Sequence, residues 1–202
     1  MTLHQKAEKG LLEDEILTTE LLNERDKWER TVWHVAARHD TLNQIPKHLF
    51  NRDSFAQTNI DGDDVWDVIA NRKQIHNVPL HLITEDLLDL RCRSAFGQLL
   101  FKGDDAIYIQ RCLFLKQNPQ LEKDFTCLDS RLKLVMASKE MLSFQFEGIN
   151  DEIFLTKDNV FFNFKNFDSM SSAVNFIENN YPGVEKSIAL PSETLNLAPF
   201  VL

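Results

Sequence analysis

Segment 59–64 has the side chains that a metal ion would need. It reads Asn59-Ile60-Asp61-Gly62-Asp63-Asp64, and carboxylates and amides around a glycine are typical of a calcium-binding loop. With Gly62 at position six of a twelve-residue loop, however, the last position falls on Val68, where a bidentate glutamate is required. The spacing therefore argues against calcium and favours a glycine turn followed by a helix that Asp64 caps.

The histidines and cysteines do not form a metal or nucleophilic set. No two of the six histidines have the four-residue spacing that presents two zinc ligands on one helix face. The three cysteines, Cys92, Cys112 and Cys127, contain no Cys-x-x-Cys pair, which predicts reduced and mostly buried thiols. Residues 97–103 lack the Lys-Ser/Thr that completes a phosphate-binding loop. We therefore predict no metal site and no cofactor.

Acid–base chemistry would need paired carboxylates. The C-terminal third offers Asp129, Glu140, Glu147, Asp151 and Glu152. The sequence alone does not set any pair of them within reach of each other. We predict no catalytic residues and a protein that is not an enzyme. An enzyme with its active site in the C-terminal part is kept as an alternative.

Composition and charge restrict the function further. Of the 202 residues 43% are hydrophobic, enough to cover a core, and the net charge is -9. Residues 1–89 carry 17 acidic and 10 basic side chains, so the acidity lies mainly in the N-terminal half. Nucleic-acid affinity depends on Lys and Arg that neutralise phosphates, so direct nucleic-acid binding is not expected. No apolar run is long enough to span a membrane and the first nine residues are polar. These features predict a protein of the cytoplasm, or one delivered into a host cell, without membrane contact.

The candidate residues lie in a pattern that occurs twice at an offset of 33 residues. Segment 31–37, Thr-Val-Trp-His-Val-Ala-Ala, aligns with segment 64–70, Asp-Val-Trp-Asp-Val-Ile-Ala. A second aligned set has the form Ile-Pro-x-x-Leu or Val-Pro-x-x-Leu and comprises residues 45–49 and 78–82. Repeats of this length are typical of solenoid proteins.

The repeated segment resembles the ankyrin repeat, in a bacterial or phage-type variant with an Ile-Pro-x-x-Leu insertion, over about residues 1–103. The family signature opens a helix with Thr-Pro-Leu-His-x-Ala, here Thr31 to Ala36, after a turn such as the one at Gly62. The resemblance implies that His34 hydrogen-bonds the neighbouring loop. It also implies a second helix in each repeat. In the repeat that matches the signature better, Pro46 would end or kink that second helix.

The C-terminal part follows another pattern and resembles no family that we recognise. Alternating apolar residues predict strands near residues 132–136, 142–146, 152–156 and 160–164, with a helix near 169–180. The alternation assigns Val160, Phe162 and Phe164 to the core face. The predicted fold is thus mainly α: an ankyrin-like helical-hairpin solenoid of three to four repeats in residues 1–119, followed by a small α+β part, a β-meander plus a helix, in residues 120–202.

The resemblance implies a concave surface that binds a macromolecular partner. Carried over position by position, the predicted partner-binding residues are Lys27, Trp28, Arg30, Arg38, His39, Ile60, Asp61, Asp63, Asn71 and Arg72. Trp28 stands out because tryptophan is favoured as an interface anchor. We expect a non-catalytic protein–protein interaction module, an inhibitor or adaptor of bacterial or phage origin. A second alternative is an acidic protein that mimics nucleic acid and blocks a DNA- or RNA-binding protein.

Overall fold

A computed structural model describes residues 1–13, 15–91, 97–121 and 131–181. The chain divides into two compact units, Met1–Ile109 and Gln110–Leu202, and each is described by itself. The helices of the first part of the chain are α1 (Leu3–Lys9), α2 (Thr19–Leu22), α3 (Val32–His39), α4 (Arg52–Phe55), α5 (Val65–Arg72) and α6 (Asp104–Gln117). α3 packs against both α1 and α5.

Helices α1, α3 and α5 begin and end in the same way. Each begins with a capping box, in which the N-cap side chain and the third helical residue satisfy each other's backbone N–H groups. Their N-cap residues are Thr2, Thr31 and Asp64. Each also ends in a residue with a positive φ, which releases the chain from the helix. These C-cap residues are Gly10, Asp40 and Lys73.

The helices are not arranged as an ankyrin solenoid, so the predicted mainly α fold is wrong. The segment after α3 forms two 3-10 turns, Leu42–Gln44 and Lys47–Leu49, in place of a second helix. The segment after α5 likewise forms Ile75–Asn77 and Leu80–Leu82. A proline, Pro46 or Pro79, precedes the second turn of each pair. Because proline lacks an N–H and disfavours a helical residue before it, the chain becomes extended there.

The 33-residue period is nevertheless present in the packing. Trp33 and Trp66 are both the second residue of their helices, and both are buried. Their rings make edge contacts with the same ring, that of Phe55, at centroid distances of 5.3 and 5.0 Å. Phe50 and Phe101 extend the cluster. Such pairs contribute about 0.5–1.5 kcal/mol each beyond the burial of their area.

The second unit contains a five-stranded antiparallel sheet in which neighbouring strands follow chain order. The strands are β1 (Leu132–Ala137), β2 (Met141–Phe146), β3 (Glu152–Thr156), β4 (Val160–Phe162) and β5 (Lys165–Phe167). Helix α7 (Met170–Asn180) follows, with Ser169 as its N-cap. Buried side chains of one sheet face, such as Phe144 and Ile153, form a core with Ile177 of α7. The predicted meander and helix are therefore present, but the sheet is more prominent than predicted and β5 was not predicted.

Phe164 does not face the core as predicted. It lies with Asn163 in the turn between β4 and β5, where the two residues have φ values of 61° and 47°. Its relative exposure is 106%, whereas Val160 and Phe162 are buried as expected. The strand ends two residues earlier than the alternation indicated, because the chain reverses at this point.

Candidate functional site

Two five-residue turns, 26–30 and 59–63, precede helices α3 and α5. Each is closed by an isolated antiparallel bridge, Arg25 with Thr31 and Thr58 with Asp64. In each turn the backbone N–H of the first residue donates to the carbonyl oxygen of the fifth, over 3.0 and 2.9 Å. The turns are therefore two copies of one backbone structure.

The first side chain of each turn holds its backbone in place. Oδ1 of Asp26 accepts from the N–H groups of Trp28 at 2.9 Å and Arg30 at 3.0 Å. Oδ1 of Asn59 accepts from the equivalent N–H groups two and four residues later, at 2.9 and 3.1 Å. Asp and Asn favour turns because their short side chains can make these local bonds.

Asp26 also pairs with the side chain of Arg30. Its Oδ2 accepts from Nε at 2.9 Å and from Nη2 at 2.7 Å. Partial burial raises the pKa of Asp26, but hydrogen bonds from Arg30 and from the Trp28 N–H outweigh that effect, so its pKa lies below the ordinary value. The carboxylate is therefore charged at neutral pH and fixes the guanidinium beside the turn.

The two turns are joined to each other. The backbone N–H of Ile60 donates to the carbonyl oxygen of Trp28 at 3.1 Å. Nη1 of Arg25 donates to the carbonyl oxygens of Thr58 at 2.7 Å and Glu29 at 3.0 Å. The exposed tips are thus held side by side by one backbone hydrogen bond and by the Arg25 side chain.

A histidine of α1 supports the first turn and a histidine of α3 supports the second. Nε2 of His4 lies 3.0 Å from the carbonyl oxygen of Arg30, and Nε2 of His34 lies 3.2 Å from that of Asp63. The predicted bond from His34 to the neighbouring loop is therefore confirmed. Burial lowers the pKa of His34, although its bond to the Asp63 carbonyl opposes this.

The paired tips expose two apolar side chains, Trp28 at 47% and Ile60 at 62% relative exposure. Nζ of Lys27 lies 4.0 Å and Cζ of Arg30 4.5 Å from the centroid of the Trp28 ring, within the range of cation–π contact. The exposed carboxylate of Asp61 lies in the second tip. We call these five residues the turn surface.

The ten residues predicted to bind a partner fall into two groups. Six lie in the two turns, Lys27, Trp28, Arg30, Ile60, Asp61 and Asp63. The other four, Arg38, His39, Asn71 and Arg72, are exposed near the C-terminal ends of α3 and α5. At a rise of 1.5 Å per residue, an eight-residue helix separates the two groups by about 12 Å along its axis. The sequence analysis missed Arg25, although its side chain joins the turns; an arginine just before a turn has no distinctive spacing.

The carboxylates considered for catalysis are not brought together as a set. Glu140 lies in the turn between β1 and β2, whereas Glu147 and Asp151 lie in the connection at the other end of β2. Glu152 accepts a hydrogen bond from the hydroxyl of buried Ser143. Asp129 lies outside the described residues.

The remaining candidates for chemistry are metal-binding side chains and cysteine thiols. Among residues 1–13, 15–91, 97–121 and 131–181, no group of three or more His, Cys, Asp or Glu side chains could hold a metal ion. Cys112 is a buried free thiol, and Cys92 and Cys127 lie outside the described residues. No helix of the described segments is both long and apolar enough to cross a membrane.

Comparison with protein-family models, curated proteins and solved structures finds no match for this chain. The resemblance to the ankyrin repeat therefore stays a prediction.

Proposed function

We propose that this chain is a non-catalytic protein that binds another protein through the turn surface. One observation carries the proposal: the hydrogen bond from the Ile60 N–H to the Trp28 carbonyl joins two residues whose apolar side chains are both exposed. Lys27, Arg30 and Asp61 provide charges around them. An apolar centre with a polar rim is the usual composition of a protein interface.

The rigidity of the turns supports the same function. Binding costs free energy whenever loops or side chains must be ordered, and a surface that is already ordered avoids part of that cost. Here Asp26, Asn59, Arg25 and His34 all hold the turn backbone by hydrogen bonds. The site of action that we propose is the cytoplasm of the producing cell or of a host cell.

The charge pattern favours this proposal over nucleic-acid mimicry. A mimic needs closely spaced carboxylates, since it must imitate a phosphate backbone. Lys27 and Arg30 instead lie over the Trp28 ring in the first tip, while Asp61 lies in the second. A surface that carries both positive and negative charges complements a partner with charges of both signs. It complements a uniformly basic DNA- or RNA-binding protein less well.

The test is a comparison of variants against a purified partner. Tagged full-length chain captures partners from the native cell, and the affinity of each is then measured with Trp28→Ala, Ile60→Ala and Ile16→Ala. Ile16 is the matched control because it is 88% exposed and outside both turns. We expect losses of about tenfold or more for the first two variants, the usual effect of removing an anchor residue. A partner that binds all three variants as tightly as the native chain would contradict the proposal.

A further inference from the structure

The last residue of each of the helices α1, α3 and α5 is basic. These residues, Lys9, His39 and Arg72, are exposed. Arg38 precedes His39 and Lys73 follows Arg72, and both are also exposed. On a chain with a net charge of -9, basic residues at equivalent positions of three helices form a distinct local feature, which we call the helix-end row.

The packing sets the expected spacing of the row. α3 contacts both α1 and α5, and the axes of packed helices lie about 8–10 Å apart. An extended chain advances by about 3.3–3.6 Å per residue, so about three residues span the distance from one helix end to the next. A segment with an acidic side chain at every third position would therefore meet the row in register.

The surroundings leave Lys9, Arg38 and Arg72 available, whereas Lys73 interacts electrostatically with the carboxylate of Asp105. Within the described segments, no ion pair joins Lys9, Arg38 or Arg72 to a carboxylate. Two carboxylates lie next to residues of the row in the sequence. Asp40, the C-cap of α3, accepts a hydrogen bond from the Asn77 side chain at 2.9 Å, and Glu8 is the exposed residue before Lys9 in α1.

Cations are also stabilising at helix C-termini because they offset the helix dipole. That effect favours a basic residue in the last turn of each helix taken separately, so it accounts for part of the row without a partner. α7 ends without any basic residue in its last turn, so the fold tolerates its absence. Stability and binding can therefore be measured as separate properties of the row.

We infer that the helix-end row binds an extended acidic segment of the protein partner. The inference rests on the proposed function, because it assigns chemistry to that partner, and it adds a second contact about one helix length from the turn surface. Complementary charge of this kind increases the association rate and selects among partners more than it adds affinity.

The test uses a fluorescent peptide of about twelve residues, extended and with glutamate at every third position, so that it spans the three helix ends. Binding to the full-length chain is followed by anisotropy for the native sequence, for the double variant Lys9→Gln/Arg72→Gln, and for Lys157→Gln. Lys157 is the matched control because its side chain is 70% exposed and lies in the second unit. We expect binding to weaken about five- to tenfold in the double variant, as for loss of two exposed charge pairs, and to stay unchanged in Lys157→Gln.

Native protein supplies a second measurement that needs no variant. Peptide binding should weaken as salt rises from about 50 to about 300 mM, because exposed charges are screened beyond the Debye length. Absence of binding, equal binding by the double variant at an unchanged melting temperature, or equal binding of a single-stranded oligonucleotide of the same charge would overturn the inference. The peptide experiment does not involve the natural partner, so its outcome does not affect the comparison made with Trp28→Ala. Conversely, a negative result with Trp28→Ala would not change the measured binding of the peptide.

Discussion

His34 and Asp67 lie at equivalent positions of the two repeated segments, and each accepts the same kind of hydrogen bond through a different atom. Nδ1 of His34 accepts from the backbone N–H of Thr31 at 3.1 Å, and Oδ2 of Asp67 accepts from that of Asp64 at 3.0 Å. His34 has a second ring nitrogen, which bonds to the Asp63 carbonyl. The histidine therefore caps its own helix and also supports the next turn. The aspartate caps its own helix.

The stability of the chain should depend on pH through His34. Burial lowers its folded-state pKa, and the charges of Arg25 and Arg30 act in the same direction, against the Asp63 carbonyl and Asp26. The unfolded pKa is about 6.5. Below that pH the unfolded state binds more protons than the folded state, so stability is complete above about pH 6.5 and falls as pH decreases towards the folded pKa. Urea unfolding at about pH 7.5 and pH 5 measures the change.

His34→Asn is the matched control because its side-chain oxygen can replace Nδ1, as that of Asp67 does, but it neither titrates nor reaches Asp63. We expect this variant to be about 1 kcal/mol less stable at pH 7.5, the net value of one hydrogen bond. Its stability should decrease less than that of the native chain on going to pH 5. An identical decrease in both proteins would show that His34 does not cause it.

Two substitutions at Asp26 separate its two roles. Asp26→Asn keeps the Oδ1 acceptor, as Asn59 does in the second turn, and loses the ion pair with Arg30. Asp26→Ala loses both. We expect Asp26→Ala to destabilise the protein by about 1–2 kcal/mol, as for the loss of two hydrogen bonds to partly exposed N–H groups, and Asp26→Asn by less. Thermal or urea unfolding gives the order, and equal losses would mean that the ion pair alone holds the turn.

Phe164→Gly should stabilise the second unit. Phe164 has a φ of 61° and full exposure, so removing the side chain loses little burial. Two consecutive residues with positive φ are typical of a type I′ hairpin turn, which prefers Asn-Gly, and residue 163 is already Asn. We expect a gain of about 0.5–1 kcal/mol, because left-handed strain of about 1–2 kcal/mol is partly offset by the greater conformational entropy that glycine loses on folding. A loss of stability would show that the exposed ring has a contact that balances the strain.

The features that depend on local side-chain patterns could be predicted from the sequence. The 33-residue offset located the buried pair Trp33 and Trp66, and alternation located strands β1 to β4. The second helices were predicted wrongly because apolar spacing was given more weight than Pro46 and Pro79. β5 escaped prediction since it has three residues and two are exposed.

The turn surface could be predicted only in part. The offset aligns Ile60 with Lys27 and Trp28 with Asp61, so the two apolar side chains occupy different positions of their turns. Their adjacency depends on a hydrogen bond that crosses this register, from Ile60 to Trp28. Such a contact depends on how two turns are displaced relative to each other, which no residue pattern records.

Site-specific photo-crosslinking tests the central claim most directly. A photoreactive amino acid is placed at position 60, at the exposed tip, and in a parallel sample at position 16, which is also exposed. Both proteins are irradiated in the native cell, and adducts are identified by mass spectrometry. The turn surface as binding site predicts one protein adduct at position 60 that is absent at position 16 and is lost when Trp28→Ala is added. Adducts equal at both positions, or none at position 60, would contradict it.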